Sequence, residues 1–303
     1  MMRSNNQKAT VATGGIFRSK VVGSGQAISG SGIFRFCSLS VAFCLLIFSV
    51  ACSNKAQLER AQAAWDGGDY AGAADLYEEY LKLDPQGDKT GSVRLQAANI
   101  CRRDLKQYDR AIQHYLHFIE DFPKSPEFYQ AKLSLAECYV ATQKYREAIS
   151  EFEGAIPLAT DSKEKRRVRL RIADQYYDLK DLGQAQAEYQ KVVSNAAYDE
   201  LCEKAYLQIG GIHLLRDEFD EAVPVYQIVV QHTPDPPLRR TTRIRLADCY
   251  ERIFEYDQAI QILKETEPDP ASPNYIPQRI AAIQEQQRQR NLSPQSTLNW
   301  KKK

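Results

Sequence analysis

The sequence has no pair of cysteines at C-x-x-C spacing. Its seven cysteines (Cys37, Cys44, Cys52, Cys101, Cys138, Cys202 and Cys249) are scattered over 303 residues. No paired-thiolate zinc site or dithiol redox motif is therefore offered, and Cys101, Cys138 and Cys249 fall on apolar helical stripes where a cysteine acts as a small hydrophobe. Histidines number four. His114 and His117 lie three apart with no third ligand in the pattern, so they read as surface or packing residues. No G-x-x-x-x-G-K-[ST] loop, H-E-x-x-H pair or G-x-S-x-G elbow occurs, which excludes the phosphate-loop, zinc-protease and serine-hydrolase chemistries that need them. The glycine-rich run 23–32 follows no strand. Neither an enzyme nor a cofactor nor a metal is expected.

Acidic residues are missing from positions 1–51, where the charges are Arg3, Lys8, Arg18, Lys20 and Arg35. Without them the chain has 35 basic against 39 acidic residues. That balance gives no electrostatic reason for nucleic-acid binding, and none is expected. The uncharged run 36–51 is sixteen residues long, short of the ~20 that a spanning helix needs. A basic lead followed by a short apolar run predicts a secretory signal peptide over 1–51. Its end, Ser49-Val50-Ala51-Cys52, resembles the lipobox of bacterial lipoproteins. The resemblance implies lipidation of Cys52, a mature tether over 52–55, and an extracytoplasmic protein held at the cell envelope by its lipid. Ser53, which is not Asp, implies the outer membrane facing the periplasm where the organism has one.

From there on the sequence repeats. Alanines recur at Ala73, Ala111, Ala148, Ala185, Ala222 and Ala259, 37 or 38 residues apart, and a second small column precedes them at Ala61, Ala98, Ala136, Ala173, Gly210 and Ala247. A large residue opens each second segment (Tyr70, Tyr108, Tyr145, Leu182, Phe219, Tyr256), and another follows the alanine by four (Tyr77, Tyr115, Phe152, Tyr189, Tyr226, Leu263). Antiparallel helices approach closely only where small side chains face each other, and large ones then fill the wedge to the next pair. Pro224 falls inside a second helix, where a kink is expected. The columns resemble the tetratricopeptide repeat, carried by Leu135, Ala136, Tyr139, Tyr145, Ala148, Phe152 and Ala155. The period exceeds the family's 34, so helix ends or linkers should be longer. The predicted fold is all-α: a right-handed superhelical solenoid of six helix–turn–helix repeats over 56–270, a capping helix over 271–292 and a tail over 293–303 that includes Trp300.

Function is expected at the columns the repeat leaves variable. The resemblance places Trp65, Asn99, Arg102, Glu137, Val140, Asp174, Tyr177, Leu214, Asp248 and Glu251 on the groove face, where a peptide can lie. The family's carboxylate clamp needs a Lys where this sequence has Leu58, Leu95, Leu133, Leu170, Leu207 and Ile244, so clamp function is not expected. Arg167, Arg169 and Arg171, with Arg240, Arg243 and Arg245, offer a basic patch for an acidic segment or anionic headgroups; the bland reading is a solvated face. The expected activity is non-enzymatic binding of a protein or peptide partner, by groove or patch. The segment 122–139 also resembles repeats of envelope lipoproteins such as that of the outer-membrane β-barrel assembly machinery. Envelope assembly is the sharper alternative, and an accessory arm of a cell-wall enzyme complex the weaker one.

Overall fold

A helical polypeptide reverses direction where one residue leaves the right-handed region, and here that happens at a fixed interval. In the computed structural model, which describes residues 54–292, Gly68, Lys106, Gln143, Lys180, Asp217 and Phe254 all have φ between 56° and 81°. Each closes a helix end with an amide that reaches back five residues: Asp69 to Ala64 (2.9 Å), Lys144 to Tyr139 (2.8 Å), Asp181 to Tyr176 (2.9 Å), Glu218 to His213 (2.9 Å) and Glu255 to Tyr250 (2.8 Å). This is the Schellman end, which satisfies carbonyls the helix leaves open. In the second repeat the extra residue stretches the closure to six, Gln107 to Cys101 at 2.8 Å.

The turns divide the protein into helix pairs. Helix α1 covers 54–66 and pairs with α2 (Tyr70–Leu83). Then follow α3 (Thr90–Arg103) with α4 (Tyr108–Asp121), and α5 (Phe128–Ala141) with α6 (Tyr145–Ala155). The second half has α7 (Ser162–Asp178) with α8 (Leu182–Val193), α9 (Glu200–Leu215) with α10 (Phe219–His232), and α11 (Pro236–Arg252) with α12 (Tyr256–Lys264). A last helix, α13 (Tyr275–Leu292), packs on α12. Each helix packs on the next in sequence, so the structure is an all-α solenoid. The signal segment, Cys52 and the tail with Trp300 lie outside the described residues. None of the described helices is long and apolar enough to cross a membrane.

Both small columns are buried to 1% exposure or less at every alanine, and the large column from Tyr77 to Leu263 is equally buried. Each aromatic so buried stabilises the fold by on the order of 1.5–3 kcal/mol. Cysteines 101, 138, 202 and 249 lie in the same interior as free thiols. After α1, first helices range from 14 residues in α3 and α5 to 17 in α7 and α11 while the repeat interval stays at 37 or 38, so linkers such as 84–89 and 122–127 share the length beyond the family period with the helices. At Pro224 α10 continues unbroken from Phe219 to His232; only the amide donor is lost, and the ring stands exposed.

Linkers between pairs are pinned by side chains. Asp161 accepts from the Glu164 amide (2.7 Å) and Asp199 from the Cys202 amide (3.0 Å), capping α7 and α9. Arg166 then donates two bonds to Asp199 (3.0 and 2.5 Å) and one to the Val192 carbonyl (2.8 Å), so one guanidinium ties the end of α8 to the start of α9. Ile276 and Ile283 of α13 are buried against the sixth repeat.

Five of the six left-handed turn positions hold a side chain that costs roughly 1 kcal/mol there relative to glycine. Gln143→Gly and Lys180→Gly are each expected to stabilise by about 0.5–1 kcal/mol, read as a higher urea midpoint at unchanged slope. Phe254 should not follow them, because the Arg290 guanidinium of α13 lies 3.9 Å from its ring centre and that contact would be lost.

Candidate groove of the first helices

The residues expected on the groove face are all half-buried or exposed, Trp65 most clearly at 39%. The structure joins several of them into one polar network. Tyr115, from α4, donates to Asn99 (2.7 Å), and Arg102 donates to the Tyr115 hydroxyl (3.3 Å). Arg102 also pairs with Glu137 at 2.8 Å, and the other oxygen of Glu137 takes Arg171 at 2.6 Å. A single carboxylate on α5 thus links α3 to α7 across three repeats. Further along, Asp174 accepts from Tyr189 at 2.6 Å; burial raises its carboxyl pKa, and the Tyr189 bond opposes the rise. Asp248 and Glu251 both hold Arg279 of α13, at 2.9 and 2.6 Å. Val140 and Leu214 pack into the adjoining core, and Tyr177 lies under the Lys180 ammonium.

The six arginines of the expected basic patch do not form one surface. Residues 167, 169 and 171 are spaced by two, so Arg169 points roughly 200° around the helix from each neighbour. It pairs with Glu188 of α8 at 3.2 Å. Arg167 and Arg171 face the groove instead. They line a cavity of about 400 Å³ with Lys163, Leu170 and Asp174 of α7 and with Leu201 and Lys204 of α9. Lys163 opens the basic run 163–171 legible in the sequence, and Lys163, Arg167 and Arg171 follow an i, i+4 series that marks one face, whereas Lys204 on the next first helix was missed. Arg240 and Arg243 line a separate recess of about 30 Å³ beside Glu267; Arg240 pairs with Asp269 and Arg243 donates to the Glu265 carbonyl. Arg245 stands exposed on α11.

A second cavity, of about 330 Å³, opens between α3 and the linker that leads to α5, around Leu95, Gln96, Asn99 and Phe122. Both recesses mix apolar floors with polar rims, as suits an extended segment. Chemistry is unfavourable among the interior thiols: burial pushes Cys101 up to about 11 and Cys138 and Cys249 up to about 12, so the nucleophilic thiolate is scarce at neutral pH. His114 is buried against Glu78 at 3.0 Å. Among the described residues no group of three or more His, Cys, Asp or Glu is placed to hold a metal ion.

This architecture agrees with known families. The model described as Intraflagellar transport protein 56 matches residues 94–272, more than half of the chain, and a Tetratricopeptide repeat model matches residues 53–88. The chain belongs to the family of the model described as Intraflagellar transport protein 56, and its first repeat matches the tetratricopeptide repeat model. The longer match spans the second to the sixth repeat. Among curated relatives, DnaJ homolog subfamily C member 7 from Homo sapiens and from Mus musculus are each 28% identical over 171 residues, 54% of this chain. The chain spans only a third of the length of those relatives. Among solved structures, a tetratricopeptide repeat protein from Parabacteroides merdae has 14% identity, TM-score 0.47, and coverage of 82% of this chain and 95% of that one. YrrB, described as having an unusual peptide-binding site, has 17% identity, TM-score 0.45, and coverage of 63% and 91%. The tetratricopeptide repeat fold is consistent with a protein-interaction scaffold, and no catalytic family is indicated.

Two measurements bear on the polar network. Removing the carboxylate in Glu137→Ala strands Arg102 and Arg171, and a loss of about 1–3 kcal/mol in urea unfolding is expected. Burial pushes Asp199 up, but the bonds from Arg166 and the Cys202 amide outweigh it and hold the carboxyl at about 2. A depressed folded value means its contribution is present above the unfolded pKa of roughly 4 and is lost as pH falls toward 2. Acid unfolding monitored by circular dichroism should therefore be shallower between those pH values in Arg166→Leu than in the parent protein.

Proposed function

We propose that the protein is a lipid-anchored, extracytoplasmic scaffold that binds a segment of a partner protein along the groove of its first helices. The observation that carries the binding reading is the pair of recesses, about 330 and 400 Å³, one between α3 and the linker that leads to α5 and one between α7 and α9, with mixed apolar and charged linings. A peptide laid along these recesses meets apolar floor at Leu95 of α3, Leu170 of α7 and Leu201 of α9, and polar rim at Gln96, Arg167 and Lys204. Surface ion pairs on that rim are worth little in water, so an incoming segment can exchange them at small cost. The anchor reading is supported by the sequence alone: the basic lead, the sixteen-residue uncharged run and Cys52 after Ser49-Val50-Ala51. Several acyl groups on Cys52, each contributing ~0.8 kcal/mol per buried methylene, would hold the protein on a membrane.

Participation in outer-membrane or cell-envelope protein assembly is the narrower form of this proposal, motivated by the resemblance of segment 122–139. No nucleic acid and no cofactor enter the proposal, and an accessory role for a cell-wall enzyme complex has nothing further in its favour.

Site-specific photo-crosslinkers at Tyr177 in the groove and at the exposed Gln113 of α4 separate the possibilities. Crosslinks to a membrane or envelope protein from Tyr177 and not from Gln113 are expected, weakened when Arg167 and Arg171 are reversed to Glu at low salt. Equal yields from both positions, or capture of cytosolic proteins alone, would sink the reading. The Cys52→Ser variant should lose palmitate incorporation and pelleting with membranes.

A further inference from the structure

The polar column facing the second-helix aromatics has a gap. Wherever the aromatic carries a hydroxyl in the first, second and fourth repeats, the first helix supplies an acceptor: Gln62 for Tyr77 (3.2 Å), Asn99 for Tyr115 (2.7 Å) and Asp174 for Tyr189 (2.6 Å). In the third repeat the aromatic is Phe152, and Glu137 turns to Arg102 and Arg171. The fifth repeat has the hydroxyl, on Tyr226, but its facing residue is Gly211. Tyr226 is fully buried and no acceptor reaches its hydroxyl.

The hydroxyl is sealed from solvent, while the neighbouring position at Gly211 is open. A Cβ on Gly210 would stand 2.6 Å from the Tyr226 ring and 3.1 Å from its oxygen, so the ring tip lies over the backbone there. A Cβ on Gly211 would meet nothing within 4 Å, and Gly211 is partly exposed. The space that Asp174 fills in the preceding repeat is empty in this one. Arg245 supplies a second donor. It stands 34 residues after Gly211, the separation between Glu137 and the Arg171 that binds it. Burial raises the Tyr226 phenol pKa and the Arg245 charge opposes the rise, so the guanidinium acts on the hydroxyl. A guanidinium has donors only, however, and leaves the hydroxyl proton without an acceptor.

We propose that Gly211, Tyr226 and Arg245 form a receptor for one carboxylate of a bound partner segment, which takes the position that Glu137 and Asp174 fill from within their own repeats. A carboxylate is acceptor-only and meets both donors; a neutral amide satisfies Tyr226 and gains no charge-assisted bond from Arg245. The receptor rests on the groove reading above and narrows its ligand to an acidic side chain or a free carboxy terminus.

The test uses the full-length protein and three small probes at matched ionic strength: the α-amide of N-acetylglutamic acid for the carboxylate of a side chain, N-acetylalanine for a terminal one, and N-acetylglutamine amide as the neutral control. At least one acid is expected to raise the melting temperature saturably while the neutral probe does not, and the effective acid identifies the source. Tyr226→Phe removes only a hydroxyl that lacks an acceptor, so it should fold, and should bind the acid roughly tenfold more weakly. Gly211→Asp supplies its own carboxylate. It should melt higher than the parent and gain nothing from either acid. Equal responses to acid and neutral probes, or a Gly211→Asp variant that still responds, would overturn the receptor. Persisting crosslinks at Tyr177 alongside acid-insensitive melting would defeat the receptor alone, whereas acid-specific melting without groove crosslinks would defeat the segment-binding reading alone.

Discussion

Everything in this solenoid depends on the close contact of two helices through small side chains. Ala136 and Ala148, and their equivalents in the other repeats, are buried to 1% or less, and at that separation a methyl group is about the largest side chain each position admits. The large column beside them cannot complete a core inside one pair, so Tyr77, Tyr115, Phe152, Tyr189, Tyr226 and Leu263 fill the space toward the next. Stability is then shared between neighbours rather than held within a unit. Where the small position becomes Gly210, the contact tightens until the Tyr226 ring lies on the backbone itself.

The second layer of organisation is polar and far less regular. Positions that the packing leaves free are used by the protein to bind itself: Glu137 bridges Arg102 and Arg171, Arg166 joins two linker ends, and Arg279 fastens α13 through Asp248 and Glu251. Such pairs fix the register between repeats more than they add stability, since partly exposed ion pairs are worth about 0–1 kcal/mol each. They also change what a groove residue can offer a partner, because a carboxylate already holding two guanidiniums is a poor receptor for a third. What a partner can still reach is Lys163, the surface pairs of Arg167 with Glu164 and of Lys204 with Glu200, and the vacant Gly211 position.

The repeat was legible because packing imposes the same side-chain size at the same interval, and size is written directly in residue identity. Ala73 through Ala259 sufficed to place six helix pairs. The turns between helices were less legible. Only Gly68 announces a left-handed residue; Lys106, Gln143, Lys180, Asp217 and Phe254 adopt that conformation because the packed helices on either side compensate its cost. At Pro224, where a kink was expected, α10 runs on from Phe219 to His232 with the ring on the exposed face.

By itself, then, the sequence determined the all-α class, the helix pairing and the absence of known catalytic motifs, since each follows from local periodicity or from residues that are simply not there. It also supplied the columns in which groove residues lie. Only the tertiary structure decided which of those residues are spent on one another. Arg169 turned to Glu188 while Arg167 and Arg171 turned to the groove, and Tyr226 was left without the acceptor its counterparts have. The physical reason is range. Helix periodicity is a property of neighbours three and four apart, whereas the hydrogen bonds from Tyr189 to Asp174, Arg169 to Glu188 and Arg102 to Glu137 join positions 15 to 35 apart, whose approach is fixed by the packing of the helices between them.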